Sequence, residues 1–440
     1  MKIVQAVGWY FPVTTGGTEM YVAALTARLR QLGHDVEIVT PDATIAAPQT
    51  STYEGAIVRR FPIASPLTRL EAQGRARVRG SAWFHDWIRG ARADVVHFHT
   101  LVPGLEIPEV AAAKASGARV IATTHASSLG HICARGTMMR WGRSLCDGLA
   151  EVRKCAACDL QKRGLPEWAA RTAACLPVPV SDALRSLPGR LGSTLGMPSA
   201  IAFNRTRQAE LISIVDRFVL LTSWALEAAA RNGAPRRKLA LNRLGISGAL
   251  ARKPGAAAQP TPSPVRFGYV GRFDPIKGVH DLAHAVATLP RETPFRLDVR
   301  GPLDTGEGRE VHRQMQAAIG GDPRVTFGPP LPPDAVPGHL RSIDVLCCPS
   351  ICLEGGPTVA IEAQAAGTPV LGTRIGGLAE LVTDGVDGRL VEPGDWQALA
   401  SAFVDIASDP AGTVDRWRGR IPPARSMDDV TADYLGLYAA

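Results

Sequence analysis

Short apolar segments alternate with amphipathic segments along the first half of the chain. Longer stretches such as 18–32, 78–91 and 107–116 repeat apolar residues with helical spacing. Between them lie six apolar runs with the length and residue content of strands, at 2–7, 36–40, 56–61, 95–99, 119–124 and 218–222. Because strands that are buried on both faces are continuously apolar, this alternation predicts parallel βαβ units.

The same alternation begins again after residues 248–264, where four prolines among alanine and glycine predict a linker. Six further strand-like runs follow, at 265–270, 295–300, 325–328, 344–348, 369–373 and 388–391. The chain therefore predicts an N-terminal domain over 1–247 and a C-terminal domain over 265–425, each a doubly wound, Rossmann-like α/β sheet. Ligands bind at the carboxyl ends of such strands, so we expect the two domains to face each other across a binding cleft.

One stretch of the first domain lacks this alternation, and we interpret about 131–200 as an insertion. Four of the eight cysteines lie there, at Cys133, Cys146, Cys155 and Cys158. A C-x2-C pair with two more cysteines nearby is typical of a structural zinc site. An iron–sulfur cluster with the same ligands, or reduced thiols in a cytosol, are the alternatives.

Composition narrows the class of protein. The chain has 440 residues, 45% hydrophobic and 20% charged, which excludes a disordered, fibrous or small disulfide-stapled protein. No apolar run reaches the roughly 18 residues of a membrane span, and the apolar start at 3–8 is too short for a signal peptide. We therefore expect a cytoplasmic protein. Its net charge of +8 suits an anionic ligand or surface.

Arginines interleave with Trp83, Phe84, Trp87 and Ile88 in the segment 74–90. One interpretation is an amphipathic helix on an anionic membrane surface, which would make the protein peripheral to the inner face of the plasma membrane. The other is a solvated helix whose aromatic residues face the core. No nucleic-acid-binding motif accompanies the charge, so we expect no nucleic acid partner.

The strongest chemical signal follows the fourth predicted strand of the second half. Gly355 and Gly356 precede a helix predicted from Thr358, and such an entry presents backbone N–H groups and the positive end of the helix dipole to a phosphate. Glu354 lies in the same loop. About two turns further on, Glu362 carries a carboxylate suited to vicinal hydroxyls, as of a ribose. The alternative is a helix with one capping and one exposed glutamate.

Two further loops follow predicted strands. In the sequence GRFDPIKG, Arg272 and Lys277 project from one strand–helix loop, where two cations can neutralise a diphosphate. A solvated loop with an Asp274 partner is the alternative. In TTGGTE, Gly16 and Gly17 allow close backbone approach before the first helix, although their spacing is not that of a dinucleotide-binding motif.

In this order, these segments resemble the family-4 retaining glycosyltransferases of the GT-B fold. The resemblance covers most of the chain and includes VVHFH, TTH, FVLLTSWA, NRLGI, and an E-x7-E pattern followed by AxGTPV and a glycine pair. It implies a UDP- or GDP-linked nucleotide sugar bound mainly by the C-terminal domain. It also implies a glycan or lipid-linked acceptor bound mainly by the N-terminal domain, onto which a terminal helix at about 426–440 crosses back.

The resemblance also implies roles for single residues. Arg272 and Lys277 hold the donor diphosphate, and Glu362 holds the ribose. The catalytic candidates are Glu354, beside the donor sugar, and His125, which orients or polarises groups near the reacting sugar or is a buried strand-end histidine. The implied donor-binding set is Gly16, Gly17, Arg272, Lys277, Glu354, Gly355, Gly356, Thr358 and Glu362.

Three segments depart from the family pattern. Gly355-Gly356-Pro357 replaces Gly-Phe-Gly, so one fewer backbone N–H faces a phosphate. Thr123-Thr124-His125-Ala126 keeps the family's histidine but lacks the aspartate after it, and Asn242-Arg243-Leu244-Gly245 alters an asparagine–glycine pair.

The sequence contains no DxD pair to hold a catalytic divalent metal, and metal-independent catalysis agrees with the resemblance. We expect a retaining hexosyltransferase that acts by front-side attack within an oxocarbenium-like ion pair, in exopolysaccharide or cell-envelope polysaccharide biosynthesis. The alternatives are a nucleotide-sugar epimerase or hydrolase of the same fold, and a donor-binding but non-catalytic scaffold of a glycan assembly complex.

Overall fold

A computed structural model describes residues 1–13, 16–125, 132–246, 260–353 and 355–440. The chain divides into two compact units. The first comprises Met1–Gly136, Asp147–Arg243 and Met427–Ala440, and the second comprises Thr137–Cys146 and Leu244–Ser426.

Strands and helices alternate through most of both units. In chain order the described strands are β1 (Lys2–Ala6), β2 (Asp35–Asp42), β3 (Gln49–Tyr53), β4 (Ala56–Pro62), β5 (Val95–Phe98), β6 (Arg119–Thr123), β7 (Met139–Arg140), β8 (Ser144–Leu145), β9 (Arg217–Leu220), β10 (Leu239–Leu241), β11 (Val265–Val270), β12 (Phe295–Arg300), β13 (Val325–Gly328), β14 (Val345–Cys348), β15 (Val370–Thr373) and β16 (Gly388–Val391). The described α-helices are α1 (Gly17–Gln31), α2 (Arg69–Ala72), α3 (Ala82–Ala91), α4 (Ile107–Ala115), α5 (Val152–Lys162), α6 (Glu167–Ala173), α7 (Val178–Leu184), α8 (Gly189–Leu195), α9 (Met197–Ile214), α10 (Ser223–Arg231), α11 (Val279–Ala287), α12 (Gly306–Ile319), α13 (Val336–Ser342), α14 (Thr358–Ala366), α15 (Gly376–Leu381), α16 (Trp396–Ser408), α17 (Arg416–Arg418) and α18 (Met427–Ala439).

The first unit is built on an eight-stranded sheet in the order β10-β9-β6-β5-β1-β2-β4-β3. All neighbours are parallel except β3, which pairs antiparallel with β4. All six strands predicted in the first half form. The sequence did not predict β3, because QTSTY is polar and mostly exposed and so carries no burial pattern.

The second unit is built on a six-stranded, wholly parallel sheet in the order β13-β12-β11-β14-β15-β16. All six predicted strands form here as well. Its core packs aromatic rings between sheet and helices: the ring centroid of Phe267 on β11 lies 4.2 Å from that of Phe403 on α16. The predicted doubly wound α/β class is therefore confirmed in both units.

The insertion is helical rather than irregular, with α5 to α9 following one another from Val152 to Ile214. The hairpin of β7 and β8 differs from the prediction, because it belongs to the second unit rather than to the first. There the backbone N–H of Leu353 donates to the carbonyl oxygen of Thr137 at 3.0 Å. Most of the predicted linker at 248–264 lies outside the described residues.

The closing helix α18 belongs to the first unit. Its Tyr434 is fully buried, and the hydroxyl of Tyr21 on α1 donates to the Tyr434 hydroxyl at 3.1 Å. The crossover that the family resemblance implied thus places the last helix against the first one.

Helix α3 packs its apolar side into the first unit. Phe84 and Ile88 are fully buried, and the ring of Trp83 stacks on those of Phe61 and Trp87 at 5.3 and 5.5 Å. The core-facing interpretation of 74–90 therefore describes Phe84 and Ile88, whereas Trp83 and Trp87 are half-buried. The membrane-surface interpretation stays a prediction. None of the described helices combines the length and the apolar character needed to cross a bilayer.

Candidate functional site

Two loops that the sequence singled out meet at the carboxyl edge of the second sheet. They follow the neighbouring strands β11 and β14, which pair in parallel with Phe267 opposite Val345. The backbone N–H of Ile351 in the second loop donates to the carbonyl oxygen of Ile276 in the first at 2.9 Å. This edge is where ligands bind in parallel α/β sheets.

The first of these loops, 271–278, has a fixed backbone. Asp274 caps the short 3-10 turn Pro275–Lys277 by accepting a hydrogen bond from the N–H two residues on, at 3.0 Å. Gly278 has φ +71°, and a Cβ there would collide with the carbonyl of Pro349, so only glycine fits. The side chain of Arg272 is 67% exposed with a guanidinium nitrogen 3.9 Å from a carboxylate oxygen of Asp274.

The second loop leads into α14, which begins at Thr358 as predicted and is followed by Gly367 with φ +82°. Pro357 occupies the N-cap position and provides no side-chain cap. A Cβ on Gly377, in the first turn of α15, would lie 2.5 Å from the backbone nitrogen of Gly356. The first turn of α15 therefore packs directly against the glycine pair before α14, and this contact constrains the loop that the sequence assigns to a phosphate.

Glu362 lies on α14, half-buried, one turn after the exposed Thr358. Burial raises the pKa of its carboxyl. Within the described part of the chain it has no hydrogen-bond or ion-pair partner, so its oxygens can accept from ligand hydroxyls. Glu354 lies outside the described residues, and its role stays a prediction.

Gly16 and Gly17 lie at the carboxyl end of β1 in the first unit. Gly16 is the N-cap of α1 with extended backbone, and a Cβ there would lie 2.5 Å from the Glu19 carboxylate. A Cβ on Gly17 would meet open space. Their contact with a donor stays a prediction.

His125 follows β6 in the first unit, and the rings of His99 and Tyr21 pack against it. Its Nε2 lies 3.2 Å from Nδ1 of His99, and its ring centroid lies 4.9 Å from that of Tyr21. Burial lowers the pKa of His125 to about 4. Burial also lowers the pKa of His99. Sequence analysis selected His125 but not His99, although His99 belongs to the VVHFH segment.

The same edge of the first unit has an arginine-lined cavity that sequence analysis missed. Its volume is about 380 Å³, and Leu101, Pro103 and Glu106, between β5 and α4, line one side. The cationic lining residues are Arg69, Arg75, Arg163, Arg185 and Arg207. They come from distant parts of the chain, so only the tertiary fold brings them together.

Two of these arginines are held by packing. Arg207 is only 6% exposed, and its Nη2 lies 3.0 Å from a carboxylate oxygen of Glu106. The guanidinium of Arg75 lies 4.2 Å from the ring centroid of Phe203 and donates to the Ser199 hydroxyl at 3.0 Å. Burial and the neighbouring Arg185 lower the pKa of Arg75, so an anion in this cavity would be attracted by cations that already repel one another.

Cys133, Cys155 and Cys158 belong to the first unit and Cys146 to the second. Among the described residues, no group of three or more histidine, cysteine, aspartate or glutamate side chains is arranged to hold a metal ion. The structural zinc site stays a prediction.

The first unit should lose stability in mild acid. His125 stays neutral in the folded protein down to about pH 4, whereas an unfolded histidine binds a proton below about pH 6.5. The free energy of unfolding is therefore constant above about pH 7 and falls between about pH 6.5 and 4. Urea unfolding at about pH 7 and pH 5.5 measures this, and His125→Asn, which cannot titrate, should lose less over the same interval. An equal loss in both proteins would contradict the expectation.

Comparison with known proteins agrees with this architecture. Residues 15–246 match the family described as Glycosyltransferase Family 4, and residues 258–420 match the family described as Glycosyl transferases group 1. Relatives include D-inositol 3-phosphate glycosyltransferases. The Corynebacterium efficiens protein is 34% identical over 163 residues, which span 36% of this chain and 38% of that relative. The Streptomyces coelicolor protein is 28% identical over 410 residues, or 90% of this chain and 80% of that relative.

Solved structures resemble the whole chain. Sucrose-phosphate synthase from Thermosynechococcus elongatus has a TM-score of 0.66 at 19% identity, covering 100% of this chain and 98% of its own. An Anabaena protein in complex with UDP and glucose has a TM-score of 0.61 at 14% identity, covering 100% and 99%. These likenesses confirm the predicted GT-B fold.

Proposed function

Because the chain belongs to glycosyltransferase family 4, we propose that it transfers a hexose from a UDP- or GDP-linked sugar to an acceptor with retention of anomeric configuration. The observation that carries this proposal is the pair of loops at the carboxyl edge of the second sheet. The hydrogen bond from Ile351 to Ile276 holds the loop of Arg272 and Lys277 beside the glycine-rich entry to α14.

Each part of that edge suits one part of a nucleotide sugar. The cations and the entry to α14 suit the diphosphate, whose negative charge grows as the sugar leaves. The half-buried carboxylate of Glu362 suits the ribose hydroxyls. The sequence lacks a DxD pair, so we expect the rate to be unaffected by chelation of divalent metal.

The acceptor is a glycan or lipid-linked glycan by the family resemblance, in the assembly of an exopolysaccharide or cell-envelope polymer. The arginine-lined cavity supports a second candidate, an acceptor that carries a phosphate. Five arginines and Glu106 line it, with Asp182 paired to Arg75 and Arg185 and Asp159 paired to Arg163. The relatives from Corynebacterium and Streptomyces are named for D-inositol 3-phosphate. Arginine forks match phosphate geometry, which favours this candidate.

A transfer assay tests both parts. UDP- and GDP-hexoses are incubated with phosphorylated and unphosphorylated polyols and with glycans, with and without EDTA, and the anomeric configuration of the product is read by NMR. Retention is expected. Binding of a nucleotide sugar without turnover on any acceptor would favour the non-catalytic scaffold instead.

Arg75→Gln should raise KM for a phosphorylated acceptor by about 10- to 100-fold, because a charged hydrogen bond contributes about 1.5–3 kcal/mol. KM for the donor should stay unchanged. Arg190→Gln is the matched control, since Arg190 is exposed on α8 of the same unit. An equal effect of Arg75→Gln on an unphosphorylated acceptor would rule out a phosphate contact.

A further inference from the structure

A row of buried polar side chains leads away from His125 into the first sheet. Nδ1 of His99 lies 3.2 Å from Nε2 of His125, and Nε2 of His99 lies 2.6 Å from Oε1 of Gln5. Gln5 on β1 is fully buried, and His99, just after β5, is 1% exposed. The row therefore joins three neighbouring strands of the sheet, β1, β5 and β6, at their carboxyl ends.

The orientation of the Gln5 amide, which presents Oε1 to His99, determines where the protons are. An amide oxygen only accepts, so in this orientation Nε2 of His99 carries the hydrogen that bonds Gln5. Burial lowers the pKa of His99, and a neutral ring with hydrogen on Nε2 has a lone pair on Nδ1. That lone pair accepts, so Nε2 of His125 must donate. A neutral His125 then has its own lone pair on Nδ1.

We propose that Gln5 and His99 are positioning residues that hold His125 in the Nε2–H tautomer, so that Nδ1 of His125 accepts a hydrogen bond from a hydroxyl of the bound sugar. Among the described residues, Nδ1 of His125 has no hydrogen-bond partner of its own, which leaves it for a ligand. The opposite tautomer would present an N–H donor there instead. The inference about the sugar rests on the proposed function, whereas the tautomer does not.

A second row beside the first provides a matched control. Nδ1 of His97 lies 2.7 Å from the Tyr438 hydroxyl, and Nε2 of His97 lies 2.7 Å from the Thr123 hydroxyl. The ring of His97 lies 3.9 Å from that of His99, but its two nitrogens bond elsewhere. Thr123→Val therefore removes a buried hydrogen bond from a neighbouring histidine, and the Thr123 hydroxyl bonds His97 and Tyr434 rather than Gln5, His99 or His125.

The tautomer is read directly by NMR of full-length protein with 15N-labelled histidine. In the wild type, His99 and His125 should both show a protonated Nε2 and an unprotonated Nδ1. Thr123→Val should lower the unfolding free energy and leave this pattern intact. Gln5→Leu removes the acceptor that selects the tautomer of His99, so both rings should become mixtures.

Steady-state kinetics of the same variants provides a second test. Gln5→Leu should lower kcat by about 10- to 100-fold with a much smaller change in donor KM, as expected when a partner that orients a histidine is lost. Thr123→Val should keep kcat within about twofold of the wild type. Addition of a UDP- or GDP-hexose should shift the Nδ1 resonance of His125.

Two results would overturn the inference. One is a wild-type His125 protonated on Nδ1, which needs no variant and no substrate to observe. The other is turnover by the wild type with no change of the Nδ1 resonance on donor binding. If the wild type turns over no nucleotide sugar, both the proposed function and the sugar contact are wrong. The NMR spectrum still decides the tautomer of His125 in that case.

Discussion

Lys277→Ala should lower kcat/KM for the nucleotide sugar by about 10²- to 10³-fold, the usual cost of removing one charge that stabilises a leaving group. The lysine lies in a loop whose backbone is fixed by the Asp274 cap and by the close contact of Gly278 with Pro349. A fixed cation stabilises the developing nucleoside diphosphate without reorganisation. Steady-state kinetics measures the loss in kcat/KM. Calorimetric titration with the nucleoside diphosphate measures how much of that loss is weaker binding.

Lys238→Ala is the matched control for this change in charge. The ammonium of Lys238 donates to the carbonyl oxygens of Ile212 and Ser213 at 2.8 and 2.6 Å in the first unit. The Lys238→Ala variant should have the kcat and KM of the wild type. If Lys277→Ala behaves like Lys238→Ala, the loop does not bind the diphosphate.

Gly377→Ala should weaken donor binding by about 10²-fold while the protein stays folded. The added Cβ would lie 2.5 Å from the nitrogen and 2.6 Å from the Cα of Gly356. The backbone of the Gly355–Gly356 loop must therefore shift. Even a small displacement of backbone N–H groups weakens their hydrogen bonds to a phosphate. Calorimetric titration with a nucleotide sugar measures the affinity.

Gly338→Ala controls for the substitution itself. Gly338 lies in α13 of the same unit, and a Cβ there would meet nothing within 4 Å. Alanine in a helix is favourable, so this variant should bind the donor like the wild type. Equal affinities for all three proteins would show that the Gly355–Gly356 loop is not part of the donor site.

The sequence predicted twelve strands from short runs rich in apolar residues, because such a local pattern needs no partner to be recognised. It missed β3, which is polar and exposed, and it placed the β7–β8 hairpin in the wrong unit. Such a placement depends on a tertiary contact, here between Thr137 and Leu353. The zinc prediction rests on spacing along the chain alone and stays a prediction.

The residues of the candidate site also fall into two groups, those that local sequence predicts and those that only the fold brings together. Residues that share one loop, such as Arg272 and Lys277, or one helix entry, such as Gly355 and Thr358, are predictable from local sequence. Gln5 and His99 come from different strands, and the five cavity arginines come from different helices and loops. No local pattern relates them, so they became visible only once the chain was folded.

The most direct test of the central claim is whether a nucleotide sugar binds the second unit. Unfolding of the full chain is followed with UDP-, GDP- and ADP-hexoses in turn. One of them at about 100 times its Kd should raise the free energy of unfolding by about 2.7 kcal/mol. Lys277→Ala and Glu362→Ala should show much less at the same concentration. Stabilisation of the wild type by none of these donors, or equal stabilisation of both variants, would contradict the account.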